Sequence, residues 1–275
     1  MDKESLIRLT KEQLIEKISV LETKSSEEKD IVRRLSEFYS PALMDKVRTP
    51  LSAIMGFADL VTREDIDEDL KRLYMQYLEN SSRSLVQTVD DLVDYTLITM
   101  GVLNLDLSLF HLDLVFEDLF EELKKQRRIY ERLSVALFNL TPPGYSGIEV
   151  YADEHRLRQT ISRLSGYLLA HSEKGILEIG YEPLNEESIR FFARASRVIN
   201  ARHHYISHNN NRNTGIQGRR KTADPEYLLA HALVQLMDGT FEISPFGKEG
   251  IMFSFTLPVT YIIPENIPEV KEEKK

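Results

Sequence analysis

The chain has 275 residues, 42% hydrophobic and 29% charged, which is ordinary for a soluble globular protein and enough for one large domain or two small ones. A formal net charge of -9 leaves no basic excess to displace counterions, which excludes a general nucleic-acid binder. The absence of Cys excludes disulfides, thiolate zinc sites and a Cys nucleophile, and fits a reducing compartment.

No apolar run reaches the ~20 residues of a membrane helix. The start, Met1-Asp2-Lys3-Glu4, is charged and is no signal peptide. Membrane insertion is therefore not expected, and the chain reads as cytoplasmic. Over residues 1–40, Leu14, Ile18, Leu21, Val32, Leu35 and Tyr39 fall on alternating three-four spacing, with polar Ser25 and Glu28 interrupting the seam. That pattern predicts a coiled-coil helix, read as a parallel dimeric stalk, with an amphipathic helix packed on its own domain as the alternative. Ser40-Pro41 then marks a helix restart, Ser as N-cap and Pro at the first position.

Residues 41–100 read as a helical hairpin. Leu43, Val47, Leu51, Ile54, Ala58 and Val61 repeat the three-four spacing in the first helix, where Pro50 removes one backbone donor and predicts a kink. The acidic stretch from Arg63 to Asp69 makes the turn. The second helix, from about Leu70 to Met100, turns Leu73, Tyr77, Leu85, Val89, Leu92 and Tyr95 inward. Two long helices cannot bury both apolar faces alone, so a homodimeric four-helix bundle is expected.

After Gly101 the period changes. Val102 to Leu107 alternates as a half-buried strand should. Helices are expected over about 112–131, 154–171 and 225–237. Strands are expected on either side of the turn Thr141–Tyr145, at Ile176–Glu182 and Ser188–Ala195, and in a closing hairpin of Thr240–Ser244 with Ile251–Leu257. This order implies a two-layer α+β domain over 101–260. The polar tract Ala201–Lys221 is too hydrophilic to pack, and residues 261–275 are expected to be a disordered tail.

Asp45-Lys46-Val47-Arg48-Thr49-Pro50-Leu51, with Ser-Ala-Ile-Met-Gly-Phe-Ala-Asp-Leu behind it, resembles the phospho-acceptor box of sensor histidine kinases, which reads His-Glu-Leu-Arg-Thr-Pro-Leu. Val89-Asp90-Asp91-Leu92-Val93-Asp94-Tyr95 is similar to the family's run before its domain junction. The second half resembles the family's ATP-binding domain, the sandwich shared with gyrase and Hsp90-type ATPases. The resemblance rests on Asp153-Glu154-His155-Arg156-Leu157-Arg158-Gln159, Leu233-Val234-Gln235-Leu236-Met237-Asp238-Gly239 and Phe253-Ser254-Phe255-Thr256-Leu257-Pro258. It covers roughly residues 40–260. The implied fold is α+β: a coiled coil and a dimeric four-helix-bundle hairpin, followed by a two-layer α/β sandwich.

Where the family does chemistry, this chain departs from it. Asp45 stands at the acceptor His, and Lys46 at its acidic neighbour. The Mg²⁺-ligand position holds Tyr167, an earlier Asn position holds Arg163, and a hard cation wants neither. The strand that should lead to the adenine-binding carboxylate ends in Ala195-Ser196-Arg197; Asn213-Thr214-Gly215-Ile216-Gln217-Gly218 lies too far downstream and reads as lid. The glycine turn that lets phosphates approach a helix N-terminus is replaced by Asp224-Pro225-Glu226-Tyr227, with Asp224 read as an N-cap.

The resemblance with these losses implies a catalytically inactive, degenerate histidine-kinase-like protein, with no cofactor of its own, acting in two-component signalling. Its expected partners are a second copy and either a response-regulator receiver or a true kinase. The expected contact surface is Asp45, Thr49, Met55 and Phe57. The alternative is a divergent active kinase, or a response-regulator phosphatase using Thr49, with ATP and Mg²⁺ as cofactors. Asp45 itself reads as an inert surface residue. His203, His204 and His208 read as a solvated loop because no carboxylate is close, so no metal site is expected. The remaining His residues and Arg219-Arg220-Lys221 read as structural or solvated.

Overall fold

A computed structural model describes the backbone of residues 11–63, 66–199 and 224–263, with side chains from residue 19 onward except 21 and 22. The chain divides into two compact units, Met1–Val102 and Leu103–Lys275.

The first unit is helical, with α1 (Lys11–Phe38), α2 (Pro41–Val61) and α3 (Glu68–Thr99). Ser40 occupies the N-cap position of α2 with Pro41 behind it, but its hydroxyl makes no capping bond. Helices α2 and α3 pack as a hairpin. Leu43, Pro50 and Tyr95 are buried, and Phe57 stacks on Tyr77 with ring centroids 5.0 Å apart. Leu51, Leu73, Tyr77 and Val89, all expected inward, are exposed, together with Met44, Met55, Val86 and Val93. One hairpin covers only one face of each helix, which leaves these side chains in solvent.

The seam expected along α1 needs a correction at its end. Val32 points to solvent, whereas Ile31 and Leu35 are half-buried and Phe38 is fully buried. Leu35 keeps its expected place, while Ile31 and Phe38 are covered in place of their neighbours Val32 and Tyr39, because the last turns of α1 pack on α3 (Phe38 stacks on Tyr95).

The second unit is a two-layer α/β sandwich. It runs β1 (Ser108–His111), α4 (Leu112–Ile129), β2 (Val135–Leu140), β3 (Glu149–Ala152), α5 (Glu154–Ala170), β4 (Gly175–Asn185), β5 (Ser188–Ala195), α6 (Pro225–Leu236), β6 (Thr240–Phe246), β7 (Gly250–Pro258) and β8 (Thr260–Ile262). The main sheet has the order β2-β4-β5-β7-β6; β2 runs parallel to β4 and the other pairs are antiparallel. One face alternates buried residues: Leu177, Ile179 and Tyr181 on β4, Ile189, Phe191 and Ala193 on β5, Phe253, Phe255 and Leu257 on β7. The apolar faces of α4, α5 and α6 join these in one core. The opposite face carries cross-strand ion pairs, Arg190 with Glu182 and Arg194 with Glu178, as expected of a sheet solvated on one side.

A smaller antiparallel sheet, β1-β3-β8, completes the unit. Two expectations change here. The alternating stretch 102–107 is no strand; the ladder starts at Ser108. Its alternation comes from Leu105 packing on the core while the Asp106 N–H donates to Asp153 Oδ2 at 2.9 Å, so a side chain replaces a neighbouring strand. At the other end, Tyr261 and Ile262 belong to β8, opposite Val150 and Glu149, and the Tyr261 hydroxyl donates to the Asn185 carbonyl at 2.7 Å. The domain therefore runs past 260. The expected lid over 201–221 and the tail from Pro264 lie outside the described residues, as do His203, His204 and His208.

Candidate functional site

The acceptor-box residues sit on the N-terminal half of α2. Asp45 and Thr49 are four residues apart, one above the other on the same face, and both are exposed. Asp45 Oδ1 lies 3.7 Å from Arg48 Nη1, with both side chains about three-quarters exposed, so the pair adds ~1 kcal/mol or less. Lys46 is half-buried and Pro50 buried. Met55 is 65% exposed. Phe57 is not: it is half-buried against Tyr74 and Tyr77, and helps hold the hairpin together. Of the four expected partner-contact residues, three are on the surface and the fourth supports it.

The second cluster is built on α5 and α6. Asp153 caps α5 by accepting from Arg156 N at 2.9 Å. Arg163 and Tyr167 follow four residues apart on one face of that helix. The Arg163 side chain is 7% exposed, and its Nη1 donates to Glu226 Oε2 at 3.1 Å. Glu226 belongs to the first turn of α6, so this ion pair joins the two helices. Asp224 is the N-cap of α6; its Oδ1 accepts from Glu226 N at 3.0 Å, and Pro225 has no N–H to offer.

Tyr167 packs against His171, with centroids 4.2 Å apart, and edge-on against Phe253. Burial raises its hydroxyl pKa, and the carboxylates of Asp224 and Glu226 raise it further. Ala195 is buried at the end of β5, paired with Leu177 and Ile251. A Cβ placed on Gly250 would stand 2.2 Å from the Ala195 carbonyl oxygen, so β5 and β7 meet there with no room to spare. Arg163, Tyr167, Asp224 and Glu226 therefore converge, while Ala195 lies in the sheet beneath the helix layer.

Chemically, the two features that would hold a phosphate, a cation and a helix N-terminus, each meet a carboxylate of the protein's own. Glu226 faces Arg163, and Asp224 satisfies an N–H at the start of α6. The Arg163–Glu226 pairing was not foreseen from sequence. Its signal was two opposite charges assigned separately to one site. Among the described residues no group of three or more His, Asp or Glu could hold a metal ion, and no helix is long and apolar enough to cross a membrane.

Alkaline pH tests the burial of this core. The Tyr181 hydroxyl donates to Asp113 Oδ1 at 2.7 Å, and burial, then Asp113, raise its pKa. For both Tyr181 and Tyr167 the folded pKa lies above the unfolded value near 10, so the unfolded chain loses its protons first. Their contribution is complete below about pH 10 and is lost as pH rises toward the folded values. Urea unfolding should show unit 2 less stable at pH 11 than at pH 8. The variant Tyr181→Phe, about 1–2 kcal/mol weaker at pH 8, should lose less on that shift. An equal loss in variant and parent would contradict the assignment.

Residues 42–101 match the family model described as the His Kinase A (phospho-acceptor) domain. Hybrid signal transduction histidine kinase L of Dictyostelium discoideum is 25% identical over 170 residues, 62% of this chain and 10% of that protein. Hybrid signal transduction histidine kinase A of the same organism is 24% identical over 162 residues, 57% of this chain and 7% of that protein. The chain thus spans about a tenth or less of the length of these curated relatives. Among solved structures, Acinetobacter baumannii histidine kinase AdeS aligns with a TM-score of 0.54 at 18% identity, over 78% of this chain and 97% of that one. Full-length ShkA in complex with AMPPNP aligns at 0.53 and 18% identity, over 78% and 44%. These two share the fold. Residues 42–101 are thus similar to a phospho-acceptor-type hairpin, and the chain shares its fold with these two histidine kinase structures.

Proposed function

We propose that this protein is a catalytically inactive histidine-kinase-like partner in two-component signalling, which binds a response-regulator receiver or a true kinase without transferring phosphate. The observation that carries this reading is the Arg163–Glu226 ion pair, with Asp224 capping the helix beside it. Bound nucleotide would bring several negative charges toward two carboxylates already engaged, and like charges in a partly buried site repel strongly. Asp45, at the acceptor position, offers a carboxylate in an exposed pair with Arg48, and no imidazole. On this reading ATP and Mg²⁺ are not cofactors.

Homodimerisation is part of the proposal. Met44, Leu51, Leu73, Tyr77, Val86, Val89 and Val93 are exposed on the hairpin, and a second hairpin would bury them. We assign the receiver contact to the exposed surface of α2, at Asp45 and Thr49 on one face and Met55 beside Leu51 at the edge of the dimer face, with Phe57 packed on α3 behind it.

The test is binding of the full chain to purified receiver domains and kinase hairpins, measured by calorimetry. At least one should bind, and Thr49→Arg should weaken a receiver by about tenfold, the scale of one well-placed contact residue. If no receiver or kinase binds, the partner role is wrong.

A further inference from the structure

The main sheet ends at β2 on one side and β6 on the other, and the small sheet ends at β1 and β8. An edge strand leaves a row of backbone donors and acceptors that a further strand can join. Three of these four edges are guarded. β1 and β8 have only four and three residues, and β6 carries Glu242 and Pro245. β2 is not guarded: Val135-Ala136-Leu137-Phe138-Asn139-Leu140 holds no charge, no Pro and no Gly.

Hydrogen bonds show which way its backbone faces. The Ser134 carbonyl accepts from the Gly175 N–H at 3.2 Å, on the β4 side. By the alternation of a strand, the N–H and C=O groups of Ala136, Phe138 and Leu140 also point to β4, and those of Val135, Leu137 and Asn139 point away. Val135 is already satisfied. Its N–H donates to the Arg132 carbonyl at 3.0 Å, and its carbonyl accepts from Arg127 Nη1 at 3.1 Å. Among the described residues, Leu137 and Asn139 have no strand to pair with on that side.

The surroundings of this edge are apolar and basic. Ile129, Tyr130 and Leu133, at the end of α4 and in the turn to β2, are exposed, and so are Phe138 and Ile176 on the open face of the sheet. Arg127 and the Arg132 N–H, which donates to the Arg127 carbonyl at 2.9 Å, tie the end of α4 to the start of β2. Residues 124–132 hold five cations, Lys124, Lys125, Arg127, Arg128 and Arg132, against one acid, Glu131, in a chain of net charge -9. Lys124 takes up Glu121 at 2.6 Å, while Lys125 and Arg128 are exposed and form no ion pair among the described residues.

We propose that β2 is a docking edge for an extended acidic segment of another protein. The segment adds a strand beyond β2 by bonding to Leu137 and Asn139, lays apolar side chains on the exposed patch, and turns carboxylates toward Lys125 and Arg128. Charge decides the occupant. A second copy joined through its own β2 would set the same cations against each other, whereas an acidic segment meets them with opposite charge. This edge is distinct from the α2 positions assigned to a receiver, so either assignment can fail without the other.

The probe is a synthetic peptide of about eight residues alternating Glu with Val, with a Lys-Val peptide as control. Titrated into the full chain, the acidic peptide should bind with a dissociation constant of ~100 μM. At saturation it should slow exchange of the Leu137 and Asn139 amides by about tenfold and leave Ala136 and Phe138, already bonded to β4, within about twofold. Reversing two exposed charges together, Lys125→Glu with Arg128→Glu, should weaken the peptide by about tenfold without lowering the melting temperature. An acidic peptide that does not bind, a Lys-Val peptide that binds equally, undiminished binding to the double variant, or unprotected Leu137 and Asn139 amides would each overturn the proposal. So would protection of those two amides that grows with protein concentration alone, because a second copy would then be the occupant.

Discussion

Replacing Glu226 with Ala should lower the stability of the second unit by about 3 kcal/mol, the scale of removing one partner from a buried ion pair. Arg163 is 7% exposed and its guanidinium cannot give up its charge, so without the carboxylate a permanent cation stays buried. For a unit of this size the melting temperature should fall by roughly 6–12 °C. The reverse change is milder. Glu226 is 27% exposed, and a carboxylate can reach water or take up a proton, so Arg163→Met should cost only about 1–2 kcal/mol. Urea unfolding of both variants against the parent measures this asymmetry. A cost below about 0.5 kcal/mol for Glu226→Ala would mean that the guanidinium is well solvated and the site is open.

Much of the fold was legible because its periodicities are local. The three-four spacing of Leu43, Val47, Ile54 and Val61 marked α2, and the strands expected at Ser188–Ala195 and Ile251–Leu257 are β5 and β7. The misreadings come from partners that periodicity does not name. Val102–Leu107 alternates as a strand does, but its organising contact is the Asp153 carboxylate, 47 residues away. On α1, Val32 and Ile31 are adjacent, and only packing on α3 decides which of them is covered. Phe57 resembled a surface residue because its stacking partners, Tyr74 and Tyr77, lie on the next helix.

The candidate site was legible as a set of positions and not as an arrangement. Arg163, Tyr167, Asp224 and Glu226 were each identified as departures from the residues a nucleotide needs. Sequence could not tell that two of them pair across 63 residues. The capping role of Asp224 was readable because an N-cap is set by its own neighbours. The ion pair was not, because it depends on how α5 and α6 pack.

The most direct test of the central claim is thermal unfolding of the full chain with and without millimolar ATP or ADP and Mg²⁺. A nucleotide that binds only the folded protein, at ~100-fold above its dissociation constant, adds ~2.7 kcal/mol. With Arg163 held by Glu226 and the start of α6 capped by Asp224, the expected result is no Mg²⁺-dependent rise in melting temperature. A clear rise that requires Mg²⁺ would contradict the account: it would mean that nucleotide binds the folded chain in spite of these contacts.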